Sequence, residues 1–224
     1  RDMLFAKRPA QSPYSFVGNS PIMNQEIDGN DYEVTFNKSE KGNTVTIKAT
    51  VYTDVKGSDS HKEAKNATEF WNSQNGKFKY QVNEADGSVT EYDVVFELDV
   101  KEVSNESKKY GAVEGAKNDA FSDKKGNSLS VLEDKDIEGG GFGATSHGEF
   151  SEIAKSRTGT DTPAHETGHF LNLGHFPEGV MKEIDKAGTI TRESVVTKEN
   201  VQQIIDYAIG KTEGHESTAP KGAK

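Results

Sequence analysis

Three of the six histidines in this 224-residue chain fall within one short stretch, at positions 165, 169 and 175, and Glu166 follows the first of them. On a helix, His165 and His169 share a face one turn apart, so both rings can reach a single cation. Glu166 is aimed differently and is free to take a proton from metal-held water. His175 stands too far along for the same straight helix to present it, so the chain has to leave the helix and fold back. Asn172 lies where that exit must occur. After glycine, asparagine is the residue that most readily adopts the left-handed backbone conformation of a helix end. Three neutral imidazoles leave the fourth position of a tetrahedral Zn²⁺ to water, which is the open site of a catalytic zinc. The chemistry this points to is amide hydrolysis. The metal acidifies water to a pKa of ~7 and polarises the scissile carbonyl, and Glu166 carries the water proton to the leaving amine.

The elements that must position these side chains can be read from periodicity and punctuation. Residues 31–56 alternate with period two, in "EVTF" and "TVTIKATVYT", and are rich in strand-forming Thr, Val, Ile and Tyr. Residues 58–76 read as a helix, capped by a Ser or Asp, with Ala64, Ala67, Phe70 and Trp71 on one face and Gly76 as its stop. "KFKYQVN" and "EYDVVFELDVKEV" predict two strands around an Asp86-Gly87 turn. "SLSVLED" (128–134) and "GEFSEIAKS" (148–156) predict two more. Residues 163–172 form the helix of the histidine motif, with Pro163 in its first turn after Thr162 or Asp161 as cap. Thr197 caps a last helix over 197–210, with Val201, Ile204, Ile205, Ala208 and Ile209 as its apolar stripe and Gly210 as its end. The order of elements is α+β. The domain is expected to span 31–210, with residues 1–30 a proline-broken leader and 211–224 a disordered tail.

Composition narrows the function classes. The net charge of -10 argues against a nucleic-acid partner, which demands a basic footprint. There is no cysteine, which excludes disulfides, thiolate zinc ligands and a cysteine nucleophile. No apolar run approaches transmembrane length, so no membrane insertion is expected, and the N-terminus carries no signal-peptide pattern. Hydrophobic residues make up only 32% of the chain, so long loops are expected around a modest core.

The stretch from His165 to His175 resembles the metzincin clan of zinc metallopeptidases, whose motif is HExxHxxGxxH followed by a methionine-containing turn. Here Asn172 occupies the glycine position, a variant the clan tolerates. Met181, in "EGVMK", is the Met-turn candidate. The resemblance implies a twisted mixed sheet with a backing helix, an active-site helix, the Met-turn and a C-terminal helix. It also implies an edge strand that takes up substrate in extended form, near "SLSVLED" or "GGGFGATS". Some families of the clan place a Tyr just after the Met to assist the oxyanion. Lys182 and Glu183 stand there instead, so any such helper comes from elsewhere.

A second resemblance covers residues 6–29. Ser12, Pro13, Tyr14, Asn19, Pro21, Asp28 and Gly29 look like the closing segment of bacterial RHS-repeat proteins, which carry a variable toxin domain after it. It implies a polymorphic toxin released from a parent RHS shell and delivered into a target cell, with a cognate immunity protein and a protein or peptide substrate. The absence of an initiator Met fits a piece of something longer.

Two rival readings keep the zinc. In a gluzincin the third ligand is a distant Glu, here Glu193 or Glu199. In a non-catalytic, zinc-braced binding module a fourth protein ligand would close the site. Weaker signals lie elsewhere. Asp134, Asp136, Glu138 and Gly139 open like an EF-hand loop, but Thr145 stands where a bidentate Glu is needed, and an acidic surface loop is the better reading. The glycines of 139–143 either admit close backbone approach to a substrate or form a mobile loop. His61, His147 and His215 read as solvated, and Trp71 as core.

Overall fold

A computed structural model describes residues 32–123, 126–137, 150–183 and 192–210, together with the backbone of 143–146. The RHS-like leader, the C-terminal tail, Glu138, Gly139, His147, His215 and the stretch 184–191 lie outside the described residues.

The chain is an α+β fold built on one mixed sheet of seven strands. β1 (Tyr32–Asn37) and β2 (Thr44–Thr53) pair antiparallel. The chain then enters α1 (Asp59–Asn72), and β3 (Lys79–Asn83) and β4 (Val89–Glu102) follow as a hairpin. After α2 (Ala112–Ser122) come β5 (Gly126–Leu132), β6 (Gly143–Ser146) and β7 (Phe150–Ala154). Two helices complete the fold, α3 (Thr162–Phe170) and α4 (Lys198–Ala208). The sheet order is β3-β4-β2-β5-β7-β6, and β1 lies beside the first half of β2. β4, β2, β5 and β7 run parallel, while the edge strands β3 and β6 are antiparallel to their neighbours.

Alternation along the strands decides which helix covers which face. Val45, Ile47, Ala49 and Val51 of β2 lie on one face with Val94, Phe96 and Leu98 of β4, and all are buried. Helices α1, α3 and α4 cover this face through Ala64 and Trp71, Ala164 and Phe170, and Ile204 and Ile205. Tyr52, next after Val51, points the other way, and its hydroxyl donates to Asp123 Oδ2 at the end of α2, 2.8 Å away. α2 therefore backs the opposite face.

Local signals explain most element ends. The Ser58 side chain accepts the His61 N–H at the start of α1. Thr197 and Asn200 form a reciprocal capping box at the start of α4. α4 is pinned to the sheet by Tyr32, whose hydroxyl donates to Ile204 O at 2.9 Å, and by Tyr80, whose hydroxyl donates to Asp206 Oδ1 at 2.6 Å. The sequence pattern gave no sign of α2. Its buried residues are Gly115, Ala116 and Ala120, too small to register as an apolar stripe. Gly115 is required by close approach, since a Cβ there would lie 2.7 Å from Val103 Cγ2 and 2.8 Å from Ser107 O.

β5 carries the first five residues of "SLSVLED": Ser128 pairs with Tyr52 of β2, Ser128–Leu132 pair with β7, and Glu133 and Asp134 follow the strand. The segment "GGGFGATS" supplies β6, which ends the sheet order next to β7 and lies against α3.

Candidate metal centre

α3 begins after Asp161, with Pro163 in its first turn. Trp71 anchors it from α1: the indole N–H donates to Ala164 O at 3.0 Å, and the ring is fully buried. That bond fixes the backbone carbonyl immediately before His165. The helix ends in a Schellman arrangement. Leu173 N–H donates to Gly168 O at 3.1 Å and Asn172 N–H to His169 O at 2.9 Å, with Asn172 at φ 58°. The left-handed residue reverses the chain three positions before His175.

The segment that follows is held in place by its own backbone. Phe176 N–H donates to Met181 O at 3.0 Å, and Val180 N–H donates to Val195 O at 2.7 Å. The turn sets Met181, fully buried, beneath α3. Its thioether fills the space that a side chain at Gly168 would need.

The same two backbone devices orient the histidine rings. His165 Nδ1 lies 2.9 Å from Val180 O, and His169 Nδ1 lies 2.7 Å from Leu173 O. A carbonyl can only accept, so each Nδ1 carries the proton and each Nε2 presents a lone pair. The two Nε2 atoms are 3.2 Å apart. Burial, the neighbouring His169 and the Arg192 guanidinium push the His165 pKa down to about 2, against the Val180 carbonyl, so this ring is neutral near pH 7. Two lone pairs facing each other across that gap repel unless a Lewis acid lies between them. Tetrahedral Zn–N bonds of ~2.0–2.1 Å separate two donors by about 3.3 Å, close to the spacing found.

The His175 ring centroid is 5.2 Å from that of His165 and 5.1 Å from that of His169. One donor atom from each of the three rings lies within 4.8 Å of the others. His165, His169 and His175 could together hold one metal ion. Comparison of the chain with protein-family models, with curated proteins and with solved structures returned no significant match. The geometry and the motif therefore carry the reading alone.

Among the described residues no fourth His, Asp or Glu joins the three histidines. Glu193 and Glu199 are exposed and outside the group. Glu166 is buried beside the ligands, at 6% exposure. His61 stands apart, with Nδ1 3.2 Å from Thr53 Oγ1.

Four contributors carried no readable signal in the sequence. The Val180 and Leu173 carbonyls act through their backbone, which has no residue code. Glu183 Oε2 lies 3.6 Å from His175 Nδ1, on the side of the ring that a second carboxylate commonly orients. Arg192 is buried to 4% side-chain exposure, donates from Nε to Lys182 O at 2.8 Å, and approaches Asp161 Oδ1 from Nη1 at 3.4 Å.

Proposed function

We propose that this chain is a zinc-dependent endopeptidase of metzincin type, acting as the toxin domain of an RHS-repeat polymorphic toxin. The observation that carries the hydrolase half is the pair of Nδ1-to-carbonyl hydrogen bonds. They leave His165 Nε2 and His169 Nε2 as two acceptors 3.2 Å apart, with His175 beside them and Glu166 buried next to His165. Three nitrogen donors suit Zn²⁺ among the common divalent ions, and the lack of a fourth donor among the described residues favours an open site over a closed structural one. Position 172 and the buried Met181 beneath Gly168 support the metzincin reading over a gluzincin one, and so does a third ring supplied by His175.

A bound Zn²⁺ would supply Lewis acidity, polarising a carbonyl and acidifying water. The chain supplies the rest. The Glu166 carboxylate accepts one proton from water as the water oxygen bonds to the scissile carbon. It returns that proton to the amide nitrogen as the C–N bond breaks. Buried beside the ligands, Glu166 operates at low local dielectric, where its hydrogen bonds to reacting groups are strong. β6, which ends the sheet order among the described residues and lies against α3, offers backbone donors and acceptors to an extended peptide.

The toxin role rests on the resemblance of residues 6–29 to an RHS closing segment. It implies delivery into a target cell, a parent RHS shell and an immunity partner. No helix among the described residues is long and apolar enough to cross a membrane.

The test is E166Q. The variant should retain Zn²⁺ at one ion per chain and its melting temperature, while cleavage of a denatured protein substrate falls by at least ~100-fold. Expressed inside bacteria, the unaltered domain should arrest growth and E166Q should not. Full cleavage by E166Q would overturn the peptidase assignment, and harmless expression of the active enzyme would overturn the toxin role alone.

A further inference from the structure

Arg192 poses a physical problem. Its side chain is buried to 4% exposure, and its charge acts on His165, one of three rings that could hold a cation. A buried positive charge is costly, and one close to a metal site opposes the metal's own charge. Something must repay both penalties. The charge is balanced by Asp161, and the electrostatic reach of Arg192 extends to Glu166 and His165. Balance alone does not explain its presence, because an apolar residue in its place would need no balancing.

The geometry offers an explanation. Arg192 donates from Nε to Lys182 O at 2.8 Å and from Nη1 toward Asp161 Oδ1 at 3.4 Å. Asp161 is the N-cap of α3, the helix that carries His165, Glu166 and His169. Lys182 closes the turn that follows His175, and it is bridged back to Phe176. Val180, in that same turn, orients His165 through its carbonyl. The turn and the helix are therefore the two halves of the ligand set. The Thr162–Phe170 helix is short, at 9 residues, and no side-chain hydrogen bond caps its start.

We propose that Arg192 is a positioning residue that clasps the Met181–Lys182 turn to the N-terminus of α3 and so sets the three histidines at metal-binding distance. This rests on the metal-centre reading. Two donors in fixed planar geometry are needed, one for a backbone carbonyl and one for a carboxylate, and a lysine ammonium cannot span both in the same way.

The test measures Co²⁺ binding to the purified domain by its visible absorption, and Zn²⁺ affinity by competition with a chromophoric chelator. The chain is compared with R192Q, R192K and D161N. Circular dichroism and metal-free melting temperature report folding independently. R192Q and R192K should both weaken Zn²⁺ binding by ~10–100-fold and alter the Co²⁺ spectrum, the range expected for outer partners of metal ligands. D161N should weaken it less, and R192Q/D161N no more than R192Q alone. Metal affinity and spectrum unchanged in a folded R192Q, even with a lower melting temperature, would make Arg192 merely structural and overturn the proposal. Full recovery in R192K would show that charge rather than geometry matters, and would also overturn it. If R192Q fails to fold, R192K and D161N decide the same question. If the unaltered chain binds neither ion, the metal-centre reading falls and takes this inference with it.

Discussion

Gly168 and Met181 occupy one space. A Cβ built on Gly168 falls far closer to Met181 Sδ than van der Waals contact allows, 3.0 Å from Met181 Cε and 3.2 Å from Trp71 Cζ2. The glycine lies between His165 and His169 in sequence on α3, so the methionine packs against the helix that carries both rings. G168A should destabilise the fold by about 1–3 kcal/mol through overpacking, despite alanine's better helix propensity. Urea denaturation of the metal-free protein measures it, and a stabilised G168A would refute the packing account.

Asn172 is not the best residue for its position. It holds φ 58°, and its Nδ2 is buried with no hydrogen-bond partner among the described residues. Glycine would remove both penalties. N172G should raise stability by about 1 kcal/mol and leave metal affinity intact, whereas N172A should lower it by about 1 kcal/mol. Thermal melting of the pair tests this, and the opposite ranking would mean that the Asn172 amide contributes something the geometry does not reveal.

The third donor separates two clans. H175A should lose tight Zn²⁺ binding, while E193A and E199A should bind as the unaltered chain does, because neither glutamate belongs to the convergent group. Zinc in excess should also raise the melting temperature of the unaltered chain, by about 2.7 kcal/mol of stability at 100 times the Kd. H175A should show little of that gain. Equal metal content in all three variants would count against the histidine triad.

Acid sensitivity has a source outside the histidine group. Burial raises the Asp119 pKa, but the backbone N–H of Ser104 and the hydroxyls of Ser107 and Ser104 lower it more, and the net result lies below the ordinary value. A depressed carboxyl contributes stability above its unfolded pKa of about 3.9 and loses that contribution as pH falls through the folded value. D119N should therefore be less stable than the unaltered chain at pH 7, and the difference should shrink below about pH 4. A gap that stayed constant from pH 7 to pH 3 would argue against the linkage.

Much of the site was readable in the sequence because its chemistry is local. Helical periodicity alone puts His165 and His169 on one face. Asparagine's tolerance of positive φ marks Asn172 as a helix exit. Capping residues and apolar stripes predicted α1 and α4 for the same reason, since each rests on contacts within a few positions. Small residues hid α2: Gly115, Ala116 and Ala120 pack by closeness rather than by size, and closeness leaves no periodic apolar signal.

The residues that complete the site were decided only by the fold. Trp71 reaches Ala164 across 93 positions, and Arg192 reaches Asp161 across 31. The position of β6 at the end of the sheet order depends on strand pairing, which no local pattern encodes. Which atoms of His165 and His169 are offered to a metal depends on two backbone carbonyls, and every residue type carries the same carbonyl. The sequence by itself determined which side chains could hold a metal ion. The tertiary structure decided which nitrogens of His165 and His169 face each other, what braces the turn and which strand ends the sheet order, because those depend on distances between segments that only packing brings together.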